Sequence, residues 1–173
     1  MRMADALLPE FDHEMGTTRR LLERVPDDAM DWAPHERSMT LGALAAHLVD
    51  IPRWTSALID RDGYDVAADG ADRRKAPTGR EALLAGFDRH ASAARAAIAP
   101  VTDAELAAPW TLRDGDTELF TLPKIVALRS FLLNHLIHHR GQLSVYLRLR
   151  NIPVPSIYGP SADEGRSRGH APA

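Results

Sequence analysis

Apolar residues recur at three- and four-residue steps in several separate runs of this chain, and the first run is Leu7, Leu8, Phe11, Met15, Thr18, Leu21, Leu22 and Val25. That period places them on one side of an amphipathic helix reaching from about Ala4 to Val25. Pro9 falls in its first turns, where proline costs least. The stretch Pro26-Asp27-Asp28-Ala29-Met30-Asp31-Trp32-Ala33-Pro34 then ends the helix in a turn. Thr40 is placed to cap a second helix, Leu41 to about Asp60, whose stripe holds Leu44, His47, Leu48, Ile51, Trp54 and Leu58. Pro52 inside that stripe predicts a kink.

A polar loop with Gly63, Gly70, Arg73, Arg74, Lys75 and Pro77 follows. Thr78 and Glu81 form a capping-box pattern that opens an alanine-rich helix to about Ala99, and Pro100 stops it. From Val101 to Leu122 the period is irregular; Leu112 to Phe120 reads as a hairpin around Asp114-Gly115 or as a plain loop. A last long helix begins at Pro123 and carries Ile125, Val126, Leu128, Leu132, Leu133, Leu136, Leu143, Tyr146 and Leu147 to about Arg150. At 1.5 Å per residue it spans roughly 40 Å. Four helices with no clear strand pattern predict an all-α fold, a four-helix bundle. It forms one domain over residues 1–160, followed by a mobile tail over 161–173.

Composition narrows the chemistry. The 173 residues suit one domain with a sizeable core, and the 45% hydrophobic and 26% charged fractions are those of a folded protein. A net charge of -3 offers no general attraction to nucleic acid or to an anionic membrane, so neither is expected as a partner. No run approaches the ~18 apolar residues of a membrane span, and the N-terminus lacks the apolar length of a signal peptide; the expected location is the cytoplasm. Cysteine is absent, which removes disulfides, thiolate ligands and cysteine nucleophiles and leaves His, Asp and Glu as metal ligands.

The line Asn134-His135-Leu136-Ile137-His138-His139-Arg140-Gly141-Gln142 packs three histidines into five positions. Residues four apart share a helix face with Cβ atoms about 6 Å apart, so His135 and His139 can address one ion. A stable site needs a further protein ligand, and His47, on the apolar stripe of the second helix, is the best candidate. A pair made from His135 and His138, or a site that adds Asp50, remains open; the Leu132-Leu136-His139-Leu143 stripe favours His135 with His139. Asp50 would otherwise orient His47 or face solvent. Three imidazoles leave coordination positions vacant, so a bound water with its pKa lowered towards about 7, or a bound thiolate, could react there. Imidazole accepts zinc, nickel, iron and manganese alike.

Other residues carry weaker signals. Arg140 could meet an anionic substrate or a neighbouring helix. Trp54 and Tyr158 could wall a pocket or belong to the core, and Asp12 and Glu14 read as a solvated acidic face in preference to a general base. His13, His35, His90 and His170 read as surface residues.

Taken together, Leu41-Gly42-Ala43-Leu44-Ala45-Ala46-His47-Leu48-Val49-Asp50, the His135-x-x-x-His139-Arg140-Gly141-Gln142 line, the ending Val154 to Glu164 and the Pro26-Asp27-Asp28 turn with Trp32 and Pro34 resemble the DinB/YfiT-like metalloenzymes. The resemblance implies an up-down-down-up four-helix bundle, a divalent metal held by His47, His135 and His139, and a homodimer. It also implies kinship with transferases and isomerases that use low-molecular-weight thiols such as bacillithiol or mycothiol. The leading expectation is thus a thiol-dependent S-transferase acting on a small-molecule electrophile. A metal-dependent hydrolase and a non-catalytic, metal-responsive stress-related binding protein are the alternatives.

Overall fold

The computed structural model describes residues 1–68 and 79–164. Gly70, Arg73, Arg74, Lys75, Pro77 and the expected cap Thr78 lie outside the described residues, as do residues 165–173 with His170.

The first periodic run is helix α1, Met3–Leu22, with Pro9 inside it. The second divides as its proline demands. Helix α2, Leu41–Asp50, is capped by Thr40, whose hydroxyl accepts from the Ala43 N–H at 3.1 Å. A 3-10 turn, Ile51–Arg53, carries Pro52, and helix α3, Trp54–Asp60, follows. Helix α4, Arg80–Ile98, starts after Gly79 at φ 102°, and the Arg80 N–H donates to the Asp27 carboxylate at 2.6 Å. A short helix, α5, Asp103–Ala107, occupies part of the irregular region. Its capping box joins the Thr102 hydroxyl to the Glu105 N–H and the Glu105 carboxylate to the Thr102 N–H.

The last rod is not one regular helix. It runs as α6, Lys124–Leu128, a π-helical segment, Arg129–Asn134, and α7, His135–Leu149. The cause is legible in its buried positions: Lys124, Leu128, Leu132, Leu136 and Arg140 follow one another at four-residue steps. On a regular α-helix four such steps would carry the stripe roughly 160° around the axis. The wider π turn takes up the excess and keeps the stripe facing the core.

A three-stranded sheet corrects the all-α expectation, and the described chain is mostly helical rather than wholly so. Strand β1, Gly63–Asp65, pairs parallel with β2, Pro109–Asp114, which pairs antiparallel with β3, Thr117–Pro123. The hairpin turns at Gly115, whose φ of 59° suits the first central position of a tight turn. β1 is invisible to a search for alternation because it has three residues and borrows its partner from far along the chain. Gly63 admits that pairing: a Cβ there would lie 2.4 Å from the Thr111 carbonyl oxygen.

α1 packs against α4 and α7, and α2 against the same two helices. Phe11, Leu21, Leu44, Leu48, Phe87, Leu136 and Leu143 fill the space between them. The sheet is fastened to the rod just before α7, where Phe131 stacks on Phe120 and meets Trp110, each with ring centroids 5.6 Å apart. Residues 161–164, expected to open a mobile tail, are tied down. Asp163 pairs with Arg148 at 2.5 Å and accepts from the Val154 N–H, and Glu164 accepts from the Ser156 N–H.

Candidate metal centre

His47 projects from the last full turn of α2, His135 opens α7, and His139 follows one turn later. Their rings converge: centroids lie 5.0 Å apart for His47 and His135, 4.5 Å for His47 and His139, and 4.7 Å for His135 and His139. One ring nitrogen from each lies within 4.8 Å of the others, and the Nε2 atoms of His47 and His135 are 3.1 Å apart. Two imidazole nitrogens on one tetrahedral zinc would be about 3.3 Å apart, given bonds of about 2.0–2.1 Å. The His47 and His135 nitrogens are already at ligand spacing.

The rings are also prepared as donors of lone pairs. Burial, reinforced by His139 and His135, pushes the His47 imidazolium down to about 4, so His47 is neutral at pH 7. Burial likewise lowers His135 and His139. His139 Nδ1 donates to Gln142 Oε1 at 2.7 Å, and an amide oxygen can only accept, so the proton sits on Nδ1 and Nε2 keeps its lone pair. His135 directs Nε2 at His47 and hydrogen-bonds the Phe131 backbone with its ring, which leaves Nε2 free in the same way. Phe131 belongs to the π segment, so the irregular turn both sets the phase of α7 and supplies an anchor for its first imidazole. The donor set of three neutral, half-buried imidazoles fits a borderline divalent ion such as zinc.

His138 lies outside this group. It is exposed, its ring 4.8 Å from that of His139 but turned at 74° to it. Asp50 does not join either; its carboxylate faces Arg53 at 3.7 Å. The stripe drawn through His139 is corrected as well, because the buried line passes through Leu132, Leu136, Arg140 and Leu143 while His135 and His139 flank it, half-buried.

Of its two readings, Arg140 takes the neighbouring helix. It is buried against α1, where Nη1 pairs with Glu14 at 2.6 Å and Nη2 donates to the Tyr158 hydroxyl at 2.6 Å. Glu14 is therefore buried, contrary to the solvated acidic face expected of it, and its two carboxylate oxygens each lie 2.9 Å from the Tyr158 hydroxyl. Asp12 does lie on the surface, paired with Arg95 at 2.8 Å. His13 is exposed and stacks on Tyr158, and His35 is exposed. His90 departs from its surface assignment. It is half-buried and meets the Val49 carbonyl at 2.8 Å, where the Pro52 break disturbs the end of α2.

Trp54 brackets the centre, with its ring centroid 6.3 Å from that of His135 and stacked at 6.4 Å on Tyr64. Gln142 was missed as a functional residue, although its spacing of three from His139 on a helix was a readable signal. The π segment and the Phe131 carbonyl carried none.

A family model described as "DinB family" matches residues 1–169. The chain is 26% identical over 161 residues to the uncharacterized protein YrdA of Bacillus subtilis (strain 168), with 92% of this chain and 90% of that one covered. Its fold is similar to the crystal structure of a DinB-like protein from Bacillus cereus ATCC 10987, with a TM-score of 0.68 and 23% identity over 89% of this chain and 97% of that one. It is also similar to the DinB-like protein YjoA from Bacillus subtilis, with a TM-score of 0.65 and 19% identity over 86% of this chain and 95% of that one.

Proposed function

Because the chain belongs to the DinB family, we propose that His47, His135 and His139 hold one divalent ion and that the protein transfers a low-molecular-weight thiol to a small electrophile. The convergence of three imidazoles, kept neutral by burial and aimed by Gln142 and the Phe131 backbone, is the observation that carries this reading. A divalent ion held there supplies a Lewis-acid position that acidifies a thiol. Three histidines, with no fourth His, Asp or Glu joining them among the described residues, support an open site over a closed structural one.

The chain's own part is positioning. His47 offers an uncharged nitrogen, Gln142 keeps the His139 proton away from the centre, and the Trp54 ring lies against one side of His135. In the transfer the thiol sulfur bonds to the electrophilic carbon, the leaving group departs with its electron pair, and the thiol proton passes to water. The same reading takes the helices as an up-down-down-up four-helix bundle, working as a homodimer in the cytoplasm. Ring-wise packing of α1, α4, α2 and α7 supports the bundle, the lack of cysteine fits the cytoplasm, and the homodimer is carried over from the family resemblance.

The test is consumption of bacillithiol, mycothiol or another small thiol with an aryl chloride, using tag-free protein loaded with zinc, nickel or manganese. Turnover that needs metal and disappears in His139→Ala is expected. No turnover with any pairing of metal and thiol would refute the transfer.

A further inference from the structure

A cavity of about 480 Å³ lies between α3, the sheet and the π segment, and Trp54 in its wall connects it to the histidines. Trp54, Leu58, Tyr64, Trp110 and Phe131 give it mostly apolar walls. Trp54 is shared: the same ring that lines the cavity lies 6.3 Å from His135. Its charged lining is of one sign, with Arg53 and Arg61 present and no carboxylate among the described lining residues. Arg61 is exposed and has no ion-pair partner among the described residues, while Arg53 reaches its nearest carboxylate, Asp50, only at 3.7 Å. Thr55 Oγ1 and Trp110 Nε1, both in lining residues, are buried without a hydrogen-bond partner. A buried donor left without an acceptor is destabilising until one reaches it.

We infer that this cavity is the substrate pocket of the centre and that it takes an organic anion: an aromatic or branched apolar body held among Trp54, Trp110 and Phe131, with a carboxylate on the Arg61 and Arg53 guanidiniums. The inference names the substrate class of the site proposed above and rests on that reading for its function, but not for its binding. Apolar walls with a few convergent polar groups are the usual make-up of a small-molecule site. Two cations at the mouth select a carboxylate over a neutral group because charge-assisted bonds are about twice as strong. Trp54 places the far end of such a ligand next to His135.

Calorimetry with naphthoate and neutral naphthylmethanol tests this, on the wild type, Arg61→Ala and Ala57→Phe, each with zinc and after EDTA treatment. Ala57 is a half-buried lining residue, and a phenyl ring there fills the cavity without emptying the core. Saturable naphthoate binding that survives EDTA is expected, weakened about tenfold by Arg61→Ala and abolished by Ala57→Phe. Zinc uptake by Ala57→Phe would show that this variant still folds. Absence of saturable binding to the wild type, equal affinity for acid and alcohol, or binding unchanged in Ala57→Phe would overturn the pocket. Loss of zinc uptake with naphthoate binding intact would instead overturn the metal reading and leave the pocket standing.

Discussion

Replacing Arg140 with methionine is expected to destabilise the protein by about 3–5 kcal/mol, because the Glu14 carboxylate then loses its counter-charge in a dry site and keeps only the Tyr158 hydroxyl. Arg140 is 1% exposed and Glu14 4%, so neither can recover water without opening the α1–α7 contact. The guanidinium makes the 2.6 Å ion pair, a 3.2 Å bond to the Glu14 carbonyl and the 2.6 Å bond to Tyr158. Methionine keeps most of the apolar stem, which holds the cavity term small and isolates the electrostatic one. Adding Glu14→Gln removes the orphan charge, and the double variant should recover about half of the loss or more. Urea unfolding at pH 7, extrapolated to water for the wild type, Arg140→Met, Glu14→Gln and the double variant, measures each value. A single-variant loss under about 1 kcal/mol would show that the pair is hydrated and would refute the reasoning.

Gln142→Leu should weaken zinc binding about 10–100-fold without changing its stoichiometry, because His139 loses the acceptor that fixes its tautomer; unchanged affinity in a competition titration would remove Gln142 from the site. The metal-stripped protein should lose stability as pH falls from about 6.5 to about 4. Folded His47, at about 4, binds fewer protons than the unfolded residue across that window, so acid favours unfolding. After discounting for solvent screening, His47 contributes about 1–2 kcal/mol of that loss. Denaturation midpoints of wild type and His47→Leu across the window check it, and equal slopes would contradict it.

The helices were legible because their apolar periods are long and their caps are local. Thr40 and Pro52 marked the start and the break of the α2–α3 arm from sequence alone. The meeting of His47 with His135 and His139 was legible for a different reason: imidazoles on apolar stripes need partners, and two of them shared a helix face. The sheet was hidden. Its hairpin shows little alternation around the register shift at Leu112 and Arg113, and β1 acquires its pairing only when α3 delivers Gly63 to Thr111. For Arg140 the sequence left two readings open, an anionic substrate or a neighbouring helix, and could not choose between them, because its partner Glu14 sits 126 positions earlier and no spacing rule connects them. The π segment follows from the uninterrupted four-residue steps between Lys124 and Arg140, a pattern that becomes informative only once burial is known.

Zinc titration calorimetry on the wild type and on His47→Ala, His135→Ala, His139→Ala and His138→Ala tests the centre most directly. One ion per chain is expected, with affinity falling sharply in each of the first three variants and unchanged in His138→Ala. Binding that survives the loss of His47 but fails with His138→Ala would contradict the proposed centre.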